Sequence, residues 1–268
     1  MYEFDYHHPD SVAAAIALRA GAADGSYLAG GMTLLPTLKQ RLASPSDLID
    51  LAGVTGLTGI EVTADRVTIG AMTRHAEVAA SEQIKGSIPA LAFLASQIGD
   101  TQVRNRGTLG GSVANSDPSA DYPAAVIGLG ATLQTDHRTI AAEDYFQDLF
   151  QTALEEGELI RSIAFPIPRR AAYRKFPNPA SRYAVVGVFV AQFAAGVRVG
   201  VTGAGPCAFR PAEFEAALNQ RLDPAALDDV VIDHDRFNSD MHASAEYRGN
   251  LLRVMARRAV ADLLAQPA

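Results

Sequence analysis

Two short segments carry the residue types that can bring a main chain against a phosphate. The first is Ala29-Gly30-Gly31-Met32-Thr33-Leu34-Leu35-Pro36, where two adjacent glycines follow the apolar run Ser26-Tyr27-Leu28 and lead into a helix-like stretch, Leu34 to Leu42. The second is Gly107-Thr108-Leu109-Gly110-Gly111-Ser112. Glycine lacks a Cβ and takes positive φ freely, so its backbone can approach a ligand, and the unpaired N–H groups of a first helical turn attract an anion. Each segment also offers hydroxyls, Thr33 in one and Thr108 with Ser112 in the other. Singly, each Gly-Gly pair is an ordinary turn signal. Together they read as two loops closing on one dinucleotide from two sides. Arg104 and Arg106, just before the second loop, either add positive charge to that site or form a solvated flank.

Other chemistries are excluded by spacing. The chain has no G-x-x-x-x-G-K-[ST] loop, no G-x-G-x-x-G fingerprint, no H-E-x-x-H and no G-x-S-x-G elbow. Its six histidines are scattered; Asp233-His234-Asp235 reads as a solvated loop and His7-His8 as a surface pair, because no further His or Cys spacing supports a metal site. Cys207 is the only cysteine, so no internal disulfide and no Cys-ligated zinc or iron–sulfur cluster can be built by this chain alone. A formal net charge of −7 argues against nucleic acid or an anionic membrane as partner. The N-terminus is acidic where a signal peptide is basic, and the most apolar run, Ala184 to Ala191, is far short of the roughly 20 residues that span a bilayer. A cytoplasmic, reducing setting is expected.

The elements that must position the two loops follow from patterning. At 268 residues with 48% hydrophobic side chains the chain is long enough for two or three packed units. In the first, a strand near Phe4 to Tyr6, a helix capped at Ser11, the strand before Gly30, a helix to about Leu42 and the strand Asp47 to Leu51 make a small α/β unit. Three glycines between Gly53 and Gly59 suggest a joint. Beyond it come a hairpin around Ala64-Asp65-Arg66, helices over Arg74 to Ala80 and Pro89 to Ile98, a short apolar helix Ala124 to Leu129, and strands Ala131 to Thr135 and Leu159 to Ile167. Past Pro168, three successive strands (Ala171 to Phe176, Tyr183 to Phe193, Val197 to Thr202) precede helices Pro211 to Leu222 and Ser244 to Leu264. In the last helix Leu251, Met255 and Val260 form an apolar stripe opposite Arg253, Arg257 and Arg258. The expected units are 1–55, 56–168 and 169–268.

Ala29 to Pro36, then Ile69-Gly70-Ala71-Met72-Thr73, then Arg104-Asn105-Arg106-Gly107-Thr108-Leu109-Gly110-Gly111-Ser112 resemble, in order and at matching spacing, the FAD-binding medium subunits of molybdenum hydroxylases of the carbon monoxide dehydrogenase and xanthine dehydrogenase type. Ser239-Asp240-Met241-His242-Ala243-Ser244-Ala245-Glu246-Tyr247-Arg248 resembles a C-terminal signature of the same family. The resemblance implies an α+β fold: a two-part FAD-binding region of the vanillyl-alcohol-oxidase-like (PCMH) type, followed by a small α+β domain with a three-stranded sheet and helices. It implies that Ala29, Gly30, Gly31, Met32 and Thr33, with Thr108, Leu109, Gly110, Gly111 and Ser112, hold the FAD pyrophosphate. Asp121 matches the family acid that hydrogen-bonds the cofactor, Ile160 a backbone contact, Lys175 the lysine near the isoalloxazine, and Tyr183 the aromatic beside that ring. Read without the resemblance, Asp121 is a turn residue or helix cap, Lys175 a strand-end charge and Tyr183 strand core. Met32 departs from the family, in which a polar residue is frequent there; a backbone contact survives that change.

The resemblance further implies an oxidoreductase subunit with no catalytic acid, base or nucleophile and no metal of its own. A molybdopterin-binding large subunit would oxidise the substrate and a [2Fe–2S] small subunit would relay electrons to the FAD, in a heterotrimer or its dimer. Two alternatives stay open. A self-sufficient FAD-dependent oxidase needs a larger substrate domain than 169–268 provides, and a non-catalytic nucleotide-binding module explains the glycines equally well.

Overall fold

The computed structural model describes residues 1–267, which form three larger sheets and one two-stranded ribbon with helices packed on them. The first sheet comprises β1 (Asp5–His7), β2 (Gly25–Leu28) and β3 (Asp47–Asp50), all parallel with β3 in the middle. Parallel neighbours require crossovers, supplied by α1 (Val12–Gly21) and by the segment carrying α2 (Leu34–Lys39). Ser11 caps α1, its hydroxyl accepting from the Ala14 N–H at 3.3 Å. The second helix is shorter than the pattern suggests: it ends at Lys39 because Arg41 adopts a left-handed φ of 60°, leaving Leu42 exposed.

The second sheet is antiparallel, in the order β4 (Ile60–Val62), β5 (Arg66–Gly70), β10 (Ile160–Pro166), β6 (Thr132–Thr135), β7 (Thr139–Ala141). Between β5 and β6 the chain runs through six short helices: α3 (His75–Ala80), α4 (Glu82–Ser87), α5 (Pro89–Ser96), α6 (Thr101–Arg106), α7 (Leu109–Asn115) and α8 (Tyr122–Leu129). Two of these, α4 and α6, are not evident from apolar periodicity. Their starts are set by side-chain caps, Ser81 accepting from the Ile84 N–H and Asp100 from the Val103 N–H. Every residue of α8 is buried; Pro123 in its first turn and Gly130 at left-handed φ after its end mark its limits. A turn of helix, α9 (Ala142–Tyr145), and a ribbon of β8 (Phe146–Asp148) with β9 (Gln151–Thr152) lead back to β10.

The third sheet is antiparallel, β11 (Arg170–Pro177), β12 (Ala184–Phe193) and β13 (Gly196–Thr202), with β12 central. The first eight residues of β12 are buried, as expected of a β-branched run covered on both faces. One face carries α10 (Ala212–Gln220) and the long α11 (Ala245–Leu264), whose inward stripe includes Leu251, Leu252, Met255, Ala259, Val260 and Leu263. The other face packs on α8. There Gly200 is indispensable, since a Cβ on it would stand 2.1 Å from the Ala124 carbonyl oxygen. The largest core accordingly mixes α8 and second-sheet residues with Ala171, Tyr173, Phe189 and Ala191 of the third sheet. Among the described residues no helix is long and apolar enough to cross a membrane.

Candidate functional site

The two glycine segments meet. Strand β2 ends at Leu28, and the chain turns through Gly30 and Gly31, both buried, the latter at φ +72°. Gly30 has no room for a side chain: its Cβ would lie 2.2 Å from the Arg106 carbonyl oxygen and 2.7 Å from the Gly107 Cα. The first segment is therefore seated directly on the approach to the second. Among the described residues the N–H groups of Gly30, Gly31, Met32 and Thr33 find no acceptor, so four consecutive backbone donors remain free at the entrance to α2. Met32 contributes to this row through its backbone while its side chain is partly exposed.

The second segment is built differently from a loop. Thr108 is the N-cap of α7, and Gly110 and Gly111 lie within the helix. Its backbone donors are spoken for: Leu109 N–H to the Thr73 carbonyl at 3.0 Å, Gly110 N–H to the Ala71 carbonyl at 2.8 Å, Gly111 N–H to Thr108 Oγ1 at 3.1 Å and Ser112 N–H to the Thr108 carbonyl at 3.0 Å. Leu109 turns away from the cleft into the main core, 0% exposed, beside Val113. Gly110 is needed for packing, because a Cβ there would stand 2.5 Å from the Ala71 Cβ at the end of β5. What this side offers a ligand is the hydroxyls of Thr108 and Ser112. Thr108 accepts the cap bond on its oxygen and keeps its own O–H to donate.

Between the segments lies a cleft of about 440 Å³, within the range usual for ligand pockets. Ala29 to Thr33, Thr108, Gly110, Gly111, Ser112, Asp121, Ile160 and Tyr183 all line it; Leu109 and Lys175 do not. Ile160 enters at the start of β10, next to a register shift between Ile160 and Ser162. Asp121, immediately before α8, is 5% exposed, and its carboxylate receives the Tyr173 hydroxyl at 2.5 Å and the Lys175 ammonium at 2.8 Å. Burial pushes this carboxyl upward, against the pull of Lys175 and Tyr173. Lys175 stands behind Asp121 with its remaining donors on the Gln97 and Arg182 carbonyls, both at 2.9 Å. It thus ties the end of α5, the start of α8 and the turn before β12 together.

That turn aims Tyr183. Arg182 sits at φ +63°, a sparsely populated conformation for a non-glycine residue, and is held there by its N–H on the Asn178 carbonyl and its own carbonyl on Lys175. Tyr183 is 44% exposed, approaching the Thr33 hydroxyl across the cleft mouth; burial of the phenol and the nearby Asp117 and Asp121 raise its pKa. Behind it, the Ser239–Arg248 segment braces the wall. Arg248 is 4% exposed and donates to the Val185 and Gly203 carbonyls at 2.7 and 2.8 Å and to Asp240 at 2.7 Å.

Two wall residues escape sequence reasoning. His75 lines the cleft 4% exposed, and Glu158 lines it with its carboxylate held by Arg138 at 2.8 and 2.6 Å. Burial, with a lesser contribution from Arg104, pulls His75 down to about 4, so it is uncharged at neutral pH. Neither has a partner at a recognisable spacing, and no local sequence signal marks either. Asp233 caps a 3-10 turn over His234–Arg236, and among the described residues no group of three or more His, Cys, Asp and Glu side chains is placed to hold a metal.

Residues 2–168 match the family described as the FAD binding domain in molybdopterin dehydrogenase, and residues 171–263 match the CO dehydrogenase flavoprotein C-terminal domain. The chain belongs to the FAD-binding subunits of the molybdopterin dehydrogenases. Among the relatives of this family, the carbon monoxide dehydrogenase medium chain of Afipia carboxidovorans is 36% identical, with 96% of this chain and 95% of that one covered. The nicotine 6-hydroxylase medium subunit of Paenarthrobacter nicotinovorans is 33% identical over 96% of each chain. In structure, a chain of the Cu,Mo-CO dehydrogenase in its cyanide-inactivated form superposes with a TM-score of 0.91 at 35% identity, covering 99% of both chains. The FAD-binding fold expected of the sequence is thus the observed one, and the cleft's free donors and hydroxyls suit the diphosphate of such a cofactor.

Proposed function

We propose that this chain holds FAD in the cleft between Ala29–Thr33 and Thr108–Ser112, receives electrons from a [2Fe–2S] small subunit and delivers them to an external acceptor, while a molybdopterin-binding large subunit oxidises the substrate. The observation that carries the reading is the row of four unpaired backbone N–H groups, Gly30 to Thr33, opening on a cleft in a chain of this family. FAD, when bound, supplies the capacity to take up and release electrons. The chain's own residues bind and orient. The Gly30 to Thr33 N–H groups, with the Thr108 and Ser112 hydroxyls, donate to the pyrophosphate oxygens, a charge-assisted arrangement that needs no cationic side chain.

Asp121 is the acceptor for cofactor N–H or O–H groups on the cleft floor, and Ile160 contributes main-chain contact. Tyr183 covers the ring and excludes water from its edge. Lys175 acts through Asp121 and the Arg182 carbonyl and so positions both Asp121 and Tyr183. On this reading the chain divides at 55/56 and 168/169, works in the cytoplasm and assembles with both partners as a heterotrimer or its dimer. The test is direct. The full-length chain, incubated with FAD, desalted and boiled, should release stoichiometric FAD into the supernatant; absence of flavin would leave only the nucleotide-module alternative. Substrate turnover by the chain alone would restore the self-sufficient oxidase.

A further inference from the structure

His75 is a cleft residue that none of the foregoing roles uses. Its Nδ1 is buried and has no hydrogen-bond partner among the described residues. The Tyr122 ring lies beside it, centroids 5.3 Å apart and planes inclined by 51°, and the fully buried Tyr122 hydroxyl is likewise without a partner. Buried polar atoms are almost always paired, so two orphans on one aromatic contact call for an explanation. The other ring nitrogen, Nε2, is on the cleft side against Gly107, where a Cβ would lie 2.5 Å from it. Gly107 is itself the seat of Gly30, whose Cβ would fall 2.7 Å from the Gly107 Cα. Nε2 therefore reaches the crossing of the two segments, where Gly30 is seated on Gly107.

The imidazole is neutral in this setting, because burial and the Arg104 charge both oppose its protonation. A neutral ring carries one proton, and the group facing one nitrogen decides which nitrogen holds it. On the buried side that group is the Tyr122 phenol, whose ionisation is suppressed by burial and by Asp121, so it donates. A single water, a usual occupant of such a polar niche, would carry that bond to Nδ1. We infer that His75 binds the cofactor directly, its Nε2–H donating to an anionic pyrophosphate oxygen, and that Tyr122 is the positioning residue that keeps the proton on Nε2. The inference rests on the FAD reading above and deepens it.

The test uses the full-length chain stripped of flavin and titrated with FAD and, separately, with ADP, which carries a pyrophosphate and no flavin. His75→Leu should weaken both by about ten- to a hundredfold, the loss of one charge-assisted hydrogen bond. His75→Gln, whose amide N–H₂ reaches the position of Nε2–H, should bind both within about threefold of wild type. Nitrogen-15 spectra of histidine-labelled protein should show the proton on Nε2 in wild type and a mixture of tautomers in Tyr122→Phe. Wild-type affinity in His75→Leu, an equal loss in His75→Gln and His75→Leu, or a proton on Nδ1 would overturn the assignment while leaving FAD binding intact. Failure of the wild-type chain to bind FAD would overturn both.

Discussion

Replacing Gly30 by alanine probes the contact on which the cleft depends. The new methyl carbon would stand 2.2 Å from the Arg106 carbonyl oxygen, about 1.3 Å inside the roughly 3.5 Å at which such atoms rest. The obstacle is main chain on both sides, so the two segments must part. Overpacking of this kind costs about 1–3 kcal/mol, which at about 2–4 °C per kcal/mol for a chain of this size lowers the melting temperature by about 2–12 °C. The larger effect falls on the cofactor. A parting of about 1 Å takes one or two of the Gly30 to Thr33 N–H donors out of reach of an oxygen on the other wall, and each charge-assisted bond is worth about 1.5–3 kcal/mol. Quenching of flavin fluorescence on titration should then report a dissociation constant at least tenfold higher. Gly86→Ala is the control: in α4 a Cβ there meets nothing within 4 Å, so stability should hold or rise slightly with affinity unchanged. A Gly30→Ala chain that melts and binds FAD like wild type would refute the reasoning.

Lys175→Met leaves Asp121 buried without its cation and two carbonyls without a donor, and should cost about 3–5 kcal/mol in denaturant unfolding; a loss under about 1 kcal/mol would show the pair to be incidental. Arg248→Met removes the donor to the Val185 and Gly203 carbonyls and should cost about 2–5 kcal/mol by the same measurement. Hydrogen bonding from Arg138 holds the Glu158 carboxyl at about 2, below the roughly 4.3 of an unfolded chain, so its contribution is fully present above that value and fades as pH falls toward about 2. Glu158→Gln should therefore be less stable than wild type at neutral pH and flatter across that acid window, which melting temperatures taken at successive pH values will show.

What the sequence made legible is what repeats or is punctuated. The run Ala184 to Ala191 announces a central strand because β-branched residues stand on both faces, and Pro123 with Gly130 bracket α8. The first glycine pair reads correctly as a strand-to-helix turn with free donors, since nothing in its neighbourhood competes for them. The second pair has the same composition but lies within a helix, where Thr108 and the end of β5 take up every N–H. The clue was present in Leu109 and Val113, four apart on one helical face and both 0% exposed. Residues whose importance comes from contact at long range leave no local trace. Lys175 meets Asp121 from 54 positions away, and Tyr122 lies 47 positions after His75, a separation that no motif encodes.

The glycine contact between α8 and β13 bears on how the chain comes to be folded. Two sequence families meet near residue 170, yet the packing does not respect that seam: the core beneath the cleft is completed by Tyr173 and Phe189, and the wall at Asp121 by Lys175. A nascent chain that has emerged only as far as β10 holds both glycine segments but exposes the face of α8 that Gly200 later covers. The cleft therefore matures only once the last hundred or so residues have been synthesised, and until then that apolar helix is the surface a chaperone must shield.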